Sequence, residues 1–426
     1  MKKPLFRAFA MLLAAVILCV CCSLIAPAVD TAAMRRNARQ GVLMLAEQGA
    51  TPQLTGGFKS AQLDNFTSIL ITKTAAYTGD EPWLLRAFGG LRVDLWESES
   101  ESGWQAYGRY MPGQDAPEGT VMHYARYWHG YMLPLRILLS VFDLANLQML
   151  LYFAQAALFF LVLAGMKKRE LSGLIPGFFL SYFLLMPAAS GVCLQFAPVT
   201  LITLLACLFI LHADACISRA VTLPGFFALT GLLTNYFDLL TAPLLTLLFP
   251  LILLLCLRIR GGETLPQLVR LSIFCCAAWG MGYGCMWALK WLLNCLVYGW
   301  GHLENIVRQA VLRTSAEASR SRFDALRLNL DVILAKKSYL VLLLAGFMMT
   351  LLPAARAVIA RRSITPDVRA LVLVIPALVP AAWYIVMANH SIDHTYFTYR
   401  SAAAMVLAGF ALIAMLIAPK NTEYKQ

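Results

Sequence analysis

Residues 1–29 read MKKPLFRAFAMLLAAVILCVCCSLIAPAV. Lys2, Lys3 and Arg7 precede an uncharged run of about 22 residues, long enough as a helix to cross the roughly 30 Å of hydrocarbon in a bilayer. A basic start and an apolar stretch ending in APA also describe a secretory leader. The run is longer than the roughly 7–15 residues of a leader's apolar core, so an uncleaved first span is the stronger reading.

Outward from this segment the pattern repeats. Candidate spans lie at 8–29, 143–165, 171–188, 198–213, 222–236, 240–257, 271–295, 338–355, 370–388 and 401–419. The chain is 60% hydrophobic and 14% charged, with a mean hydropathy of +0.67, and no soluble protein has that balance. The expected fold is an all-α polytopic membrane protein with about ten transmembrane helices, a single membrane-embedded domain over 1–426. No internal repeat or low-complexity tract is visible, which argues weakly against repeat-built transporters.

Short loops set the orientation. Lys2, Lys3 and Arg7, then Lys167, Lys168 and Arg169, then Arg258 and Arg260, then Arg361 and Arg362, and finally Lys420 all fall on one side, which the positive-inside trend makes cytoplasmic. Both termini are then expected in the cytoplasm. The opposite, extracytoplasmic face receives residues 30–142 and 296–337, short turns at 189–197 and 235–238, and the segment NHSIDHTYFTYR at 389–400. Spans two to seven fill 143–295, and spans eight to ten with a short cytoplasmic tail fill 338–426. His123, His129, His302, His390 and His394 map outside; His212 maps inside.

The net charge of +12 would suggest nucleic acid in a soluble chain. Here many cations flank apolar runs as topology signals, so no nucleic-acid partner is expected. The eleven cysteines lie in or beside apolar segments, without the spacing of a disulfide or zinc framework.

In the first outer stretch, DTAAMRRNARQGVLMLAEQ and LDNFTSILITKTAAY have apolar residues at helical spacing and read as amphipathic helices on the membrane surface. ESESESGWQAYGRYMPGQDAPEG reads as an exposed loop. HYARYWHGYMLPLRILLSVF, aromatic and basic at once, suits a segment re-entering the interface. The second outer stretch, HLENIVRQAVLRTSAEASRSRFDALRLNLDVILAKK, holds seven Lys or Arg. Either it is a solvated helix pair whose cations meet lipid headgroups, or it is a basic wall for an anionic substrate.

Ionisable groups beside spans are costly unless paired or placed in a wet cavity. Asp64 either faces such a cavity or caps the helix NFTSILITKTAAY. Asp238 sits with Asn235 at the tip of an apolar hairpin, where a turn also explains it. Lys290, in CMWALKWLLN, either snorkels outward or holds a phosphate. His390 and His394, four apart with Asp393 between, approach a metal-binding spacing without completing a signature. With Tyr396, Tyr399 and Arg400 they could instead form an anion-binding donor cluster or an interface anchor. NFT at 65–67 and NHS at 389–391 match the short glycosylation pattern. No Gly-rich phosphate loop or GxSxG is present.

One anchor span, a long outer loop with an early acidic residue, and many later spans with polar segments on the same face resemble the GT-C class of integral membrane glycosyltransferases. RYWHGYMLPLR, LTNYFDLLTAPLL and NHSIDHTYFTYR look like uncharacterised bacterial members. The resemblance implies a polyprenyl-phosphate-linked sugar donor, a glycan or lipid acceptor, and a catalytic base in the first outer loop, which by position is Asp64. Lys290, His390, His394, Arg400, Asp238 and His129 are then the candidates around the substrate. No cofactor is indicated, though a divalent metal ion bridging carboxylate and phosphate suits the chemistry. Several such families carry a paired acidic motif just after the first span. This chain has only Asp30 there, and Asp80 with Glu81 in TGDEPW form a rival pair. A transporter or flippase of an anionic envelope substrate, or a structural component of an envelope complex, are the competing readings.

Overall fold

The computed structural model describes residues 2–93, 121–213, 222–316, 320–360 and 366–417. The ESESES loop and the topology cations Arg361, Arg362 and Lys420 lie outside these. The described chain is almost entirely helical. In order come α1 (Lys2–Ile25), α2 (Ala32–Gln48), α3 (Asn65–Ala76), α4 (Met132–Leu139), α5 (Leu144–Lys168), α6 (Ile175–Leu184), α7 (Ala197–His212) and α8 (Thr222–Phe237). Then follow α9 (Leu245–Arg260), α10 (Leu265–Tyr298), α11 (His302–Thr314), α12 (Arg322–Leu334), α13 (Lys337–Ile359), α14 (Val374–Val386) and α15 (Ala402–Leu416). One two-stranded antiparallel ribbon, β1 (Leu91–Val93) with β2 (Val121–His123), pairs Leu91 with His123.

Among the described residues six helical segments are long and apolar enough to cross a membrane: Phe6–Ala28, Leu144–Lys168, Leu265–Tyr298, Lys337–Ile359, Val368–Val386 and Thr395–Leu416. The other four expected spans are shorter helices. α6 has 10 residues, and α7, α8 and α9 have 16 each, which at the helical rise is about 24 Å and short of the hydrocarbon thickness. Composition cannot separate a lipid-facing span from a helix buried in protein. α9 makes the point: it is apolar all round and buried from Leu245 to Cys256, at the centre of the bundle.

Around this centre α8 and α10 approach backbone to backbone. A β-carbon added at Gly231 would run into the Trp279 carbonyl, and one at Gly282 into the Ala228 carbonyl, the small-residue packing that membrane helices favour. The outer faces of α1, α5, α10 and α13 expose Phe6, Phe153, Phe160, Met281 and Leu344, as lipid-facing surfaces do.

The first outer stretch departs from expectation. α2 is amphipathic and buries Met34, Ala38, Val42 and Leu45, but α3 is no surface helix. Ser68, Ile69, Ile71, Thr72, Lys73, Thr74 and Ala75 are all buried, because α2, α4 and β1 close over it. Even Lys73 is enclosed, its Nζ donating to the Val93 carbonyl at 3.2 Å. The layer therefore sits on the bundle as a folded cap.

Candidate functional site

A cavity of about 360 Å³ lies under this cap. Asp64, Thr67, Arg92, Tyr124, Tyr127, His129 and Tyr131 from the first outer stretch line it, with Gln195 from the 189–197 turn, Leu239 just after the 235–238 turn, Arg313 from α11, and His390, His394 and Tyr396 from the last polar segment. Each of the segments that sequence reasoning assigns to one side, the 235–238 turn excepted, contributes a wall.

Asp64 is both of the things expected of it: it caps α3 and it faces the cavity. Oδ1 accepts from the Thr67 amide at 2.8 Å, and Oδ2 accepts from the Thr67 hydroxyl at 2.8 Å and the Tyr396 hydroxyl at 2.9 Å. A carboxylate has about four lone-pair positions, so one remains for a substrate. Burial pushes its pKa above the usual carboxylate value, while the Thr67 and Tyr396 hydrogen bonds and the nearby His394 pull it back. A raised carboxyl pKa suits a general base.

The cavity's histidines divide by their hydrogen bonds. His390 Nε2 donates to the Leu240 carbonyl at 2.8 Å, so Nδ1 carries the lone pair and accepts from Arg313 Nη1 at 3.1 Å. Leu240 sits at φ +66°, a strained conformation for leucine that turns this carbonyl toward the ring. Burial, then the Arg313 charge, pushes His390 down to about 3 and keeps it neutral. His129 is similar: Nε2 donates to the Tyr124 carbonyl at 2.7 Å, Nδ1 accepts from the Tyr131 hydroxyl at 2.8 Å, and burial pushes its pKa down to about 3. Both rings line the cavity, but neither has a nitrogen left for a ligand. His394 differs. Its ring stacks on Phe397 at 5.1 Å and neither nitrogen bonds a described residue, so it alone of the three is open. Burial and Arg313 lower its pKa, against Asp393 and Asp64.

Arginines and aromatic rings form the opposite wall. Arg92 and Arg126 lie over the Tyr124 ring at 5.3 and 4.7 Å, and Arg313 over Tyr127 at 5.8 Å. Among the described residues no carboxylate pairs with Arg126 or Arg313. Behind this wall lies a second cavity of about 410 Å³ that shares Tyr127 and Arg313 with the first. Apart from Arg126 and Arg313 its walls are mostly apolar, with Tyr283, Trp287 and Trp291 of α10 prominent. An apolar slot thus ends at two cations.

Three expected site residues lie elsewhere. Lys290 is buried, donates to the Phe88 carbonyl at 2.7 Å and sits between the Phe88 and Trp128 rings at 5.6 and 5.5 Å; it secures the cap to α10. Asp238 accepts from the Thr241 amide at 3.0 and 3.1 Å and ties the turn after α8, the bland alternative for that position. Arg400 donates to the Leu185 carbonyl at 3.0 Å and the Tyr396 carbonyl at 2.9 Å, with its guanidinium 4.0 Å from the Phe196 ring. It acts on the cavity only through Tyr396. The rival acids are outside too: Glu81 accepts from the Tyr77 hydroxyl and Asp80 is exposed.

Sequence reasoning overlooked Arg313, Arg126 and Tyr124. For Arg313 a signal existed. It falls seven residues after the buried Ile306, on the inward face of α11 with Gln309 and Ala310, and a cation on that face is unusual. Among the described residues no three His, Cys, Asp or Glu side chains converge, and Asp393 pairs with Arg320 at 3.5 Å. Comparison with models of protein families, with characterised proteins and with solved structures finds no match.

Proposed function

We propose that this chain is a membrane glycosyltransferase of GT-C-like architecture. It moves a sugar from a polyprenyl-phosphate carrier to a cell-envelope glycan or lipid on the extracytoplasmic face, with about ten transmembrane segments and cytoplasmic termini. One observation carries the reading: a buried carboxylate with an open lone pair, Asp64, shares a cavity with Arg313, whose guanidinium no described carboxylate neutralises, where an apolar slot ends. The acceptor oxygen attacks the anomeric carbon and its proton passes to Asp64. The bond from that carbon to the phosphate oxygen breaks, and the lipid phosphate leaves with the electron pair, its charge met by Arg313 and Arg92. His394 is placed to hydrogen-bond the sugar or the phosphate. The prenyl chain takes the slot along Trp287 and Trp291.

A transporter or flippase needs polar groups along a path through the bilayer. The central helix is apolar from Leu247 to Cys256 and the polar cavity sits at one end, which favours the enzyme. The test is sugar transfer from polyprenyl-phosphate donors in reconstituted vesicles. Transfer by the natural chain and its loss in Asp64→Asn support the reading; undiminished transfer in the variant overturns it.

A further inference from the structure

Gln195 sits in the turn between Val192 and α7, in the wall of the polar cavity. It is only 5% exposed, yet its side-chain amide makes no hydrogen bond to a described residue, and Oε1 is buried without a partner. Among the described residues, no other side chain that lines this cavity has a buried polar atom in that state. Buried amides are nearly always paired, because an orphaned end gives up its hydration for nothing. The backbone of the turn, by contrast, is tied on both sides. Two positions earlier the Cys193 Sγ accepts from the Asp64 amide at 3.4 Å, which sets the turn against the candidate base. The Gln195 carbonyl accepts from the Thr241 hydroxyl at 3.4 Å, and Asp238 in turn holds the Thr241 amide. Asp238 therefore bears on the cavity at second hand, by fixing the residue whose amide is open.

An amide has a donor end and an acceptor end, and a half-turn about its last side-chain bond exchanges them. A hydroxyl can serve either end, since it both donates and accepts. A phosphate or carboxylate only accepts and leaves the amide oxygen orphaned; an ammonium group only donates. Two more open groups share the cavity. Asp64 has its spare lone pair, and the His394 ring, which burial and Arg313 hold toward the neutral form, has one nitrogen to donate and one to accept. Arg92 and Arg313 line the same cavity and suit an anion. A ligand with several hydroxyls next to a phosphate meets both sets at once.

We propose that Gln195 is a specificity-determining residue: its amide hydrogen-bonds a ring hydroxyl of a sugar lying between Asp64 and Arg313. Calling that sugar a substrate of transfer rests on the glycosyltransferase reading; its binding does not.

The experiment measures displacement of radiolabelled polyprenyl phosphate from the full chain in nanodiscs. In one arm the competitors are bare polyprenyl phosphate and polyprenyl phosphates carrying glucose, galactose, mannose or N-acetylglucosamine. In the other, octyl glycosides of the same sugars are titrated with bare polyprenyl phosphate in place, as mimics of an acceptor. At least one sugar is expected to add about tenfold in affinity over the bare phosphate or over octanol, and Gln195→Leu is expected to lose that gain. The arm in which the loss appears tells a donor's sugar from an acceptor's. Unchanged affinity for bare polyprenyl phosphate shows that the variant is folded, and Gln195→Met takes its place if it is not. The melting point of the folded variant is expected to hold or rise, since no described partner is lost and an orphaned amide is removed. The proposal is overturned if no sugar adds affinity in either arm, or if the variant keeps the gain, as it does when a buried water is the amide's partner. It also falls if neither variant binds the bare phosphate, because Gln195 then serves the fold. If the sugar gain depends on Gln195 but no donor supports transfer, the sugar site stands and the glycosyltransferase reading falls. If transfer proceeds and the variant keeps the same preference among these sugars, the reading stands and the role of Gln195 falls.

Discussion

The Tyr396 hydroxyl donates to Asp64 Oδ2 at 2.9 Å, joining residues 332 positions apart. That bond ties the last polar segment to the cap folded over the bundle, and it holds the carboxylate with an open side toward the cavity. Arg400 holds the Tyr396 carbonyl in turn, so the carboxylate's position depends on a cation that does not line the cavity.

Asp64→Asn should lower transfer by about 10² to 10⁴, the usual worth of a general base. Asparagine caps helices as well as aspartate does, so α3 should survive. Because burial raises the folded-state pKa of Asp64, the folded chain binds the proton more tightly than the unfolded one. Its contribution is therefore fully present below the unfolded carboxyl pKa and is lost as pH rises through the folded pKa. The variant should match the natural chain in acid and melt higher at neutral pH. Thermal unfolding across pH in detergent checks this, and a lower neutral melting point contradicts it.

Tyr396→Phe removes a hydrogen bond that lowers the Asp64 pKa, so that pKa should rise further. The acidic limb of the kcat/KM profile should move to higher pH while the alkaline limb stays. A profile that only drops uniformly would place Tyr396 outside the base's environment.

His390 and His394 should part company. His390→Phe leaves the Leu240 carbonyl and Arg313 without their partner and should cost about 1–3 kcal/mol of stability. His394→Phe breaks no hydrogen bond to a described residue and should leave the melting point nearly unchanged while reducing transfer. Equal melting shifts would contradict the division.

Arg313→Ala should cost about 10² to 10³ in kcat, the typical worth of one electrostatic donor. Arg313→Lys keeps the charge but loses the fork that reaches both His390 and a phosphate, so recovery should be partial. Steady-state kinetics with a polyprenyl-phosphate sugar measures both variants.

Lys290→Met should destabilise the chain by breaking its bond to the Phe88 carbonyl, with transfer per folded molecule retained. A specific loss of activity at full stability would return Lys290 to the substrate.

What the sequence by itself determined is what local pattern encodes. The length and purity of apolar runs, starting from residues 8–29, decide a helical membrane protein, and Asp64 before NFTSILI is a legible helix cap because capping spans only three residues. The same logic does not tell whether α7, α8 and α9 face lipid, since burial in protein and burial in lipid select the same side chains. Only the tertiary structure decided which polar groups are free to act. His390 and His394 are alike in sequence, yet a carbonyl 150 positions away occupies the first and, among the described residues, none occupies the second. Lys290 looked available until the Phe88 carbonyl, 202 positions distant, was seen to hold it. A hydrogen bond is satisfied over a few ångströms of space, so the partner that silences a histidine or frees an arginine leaves no trace in the spacing of its neighbours.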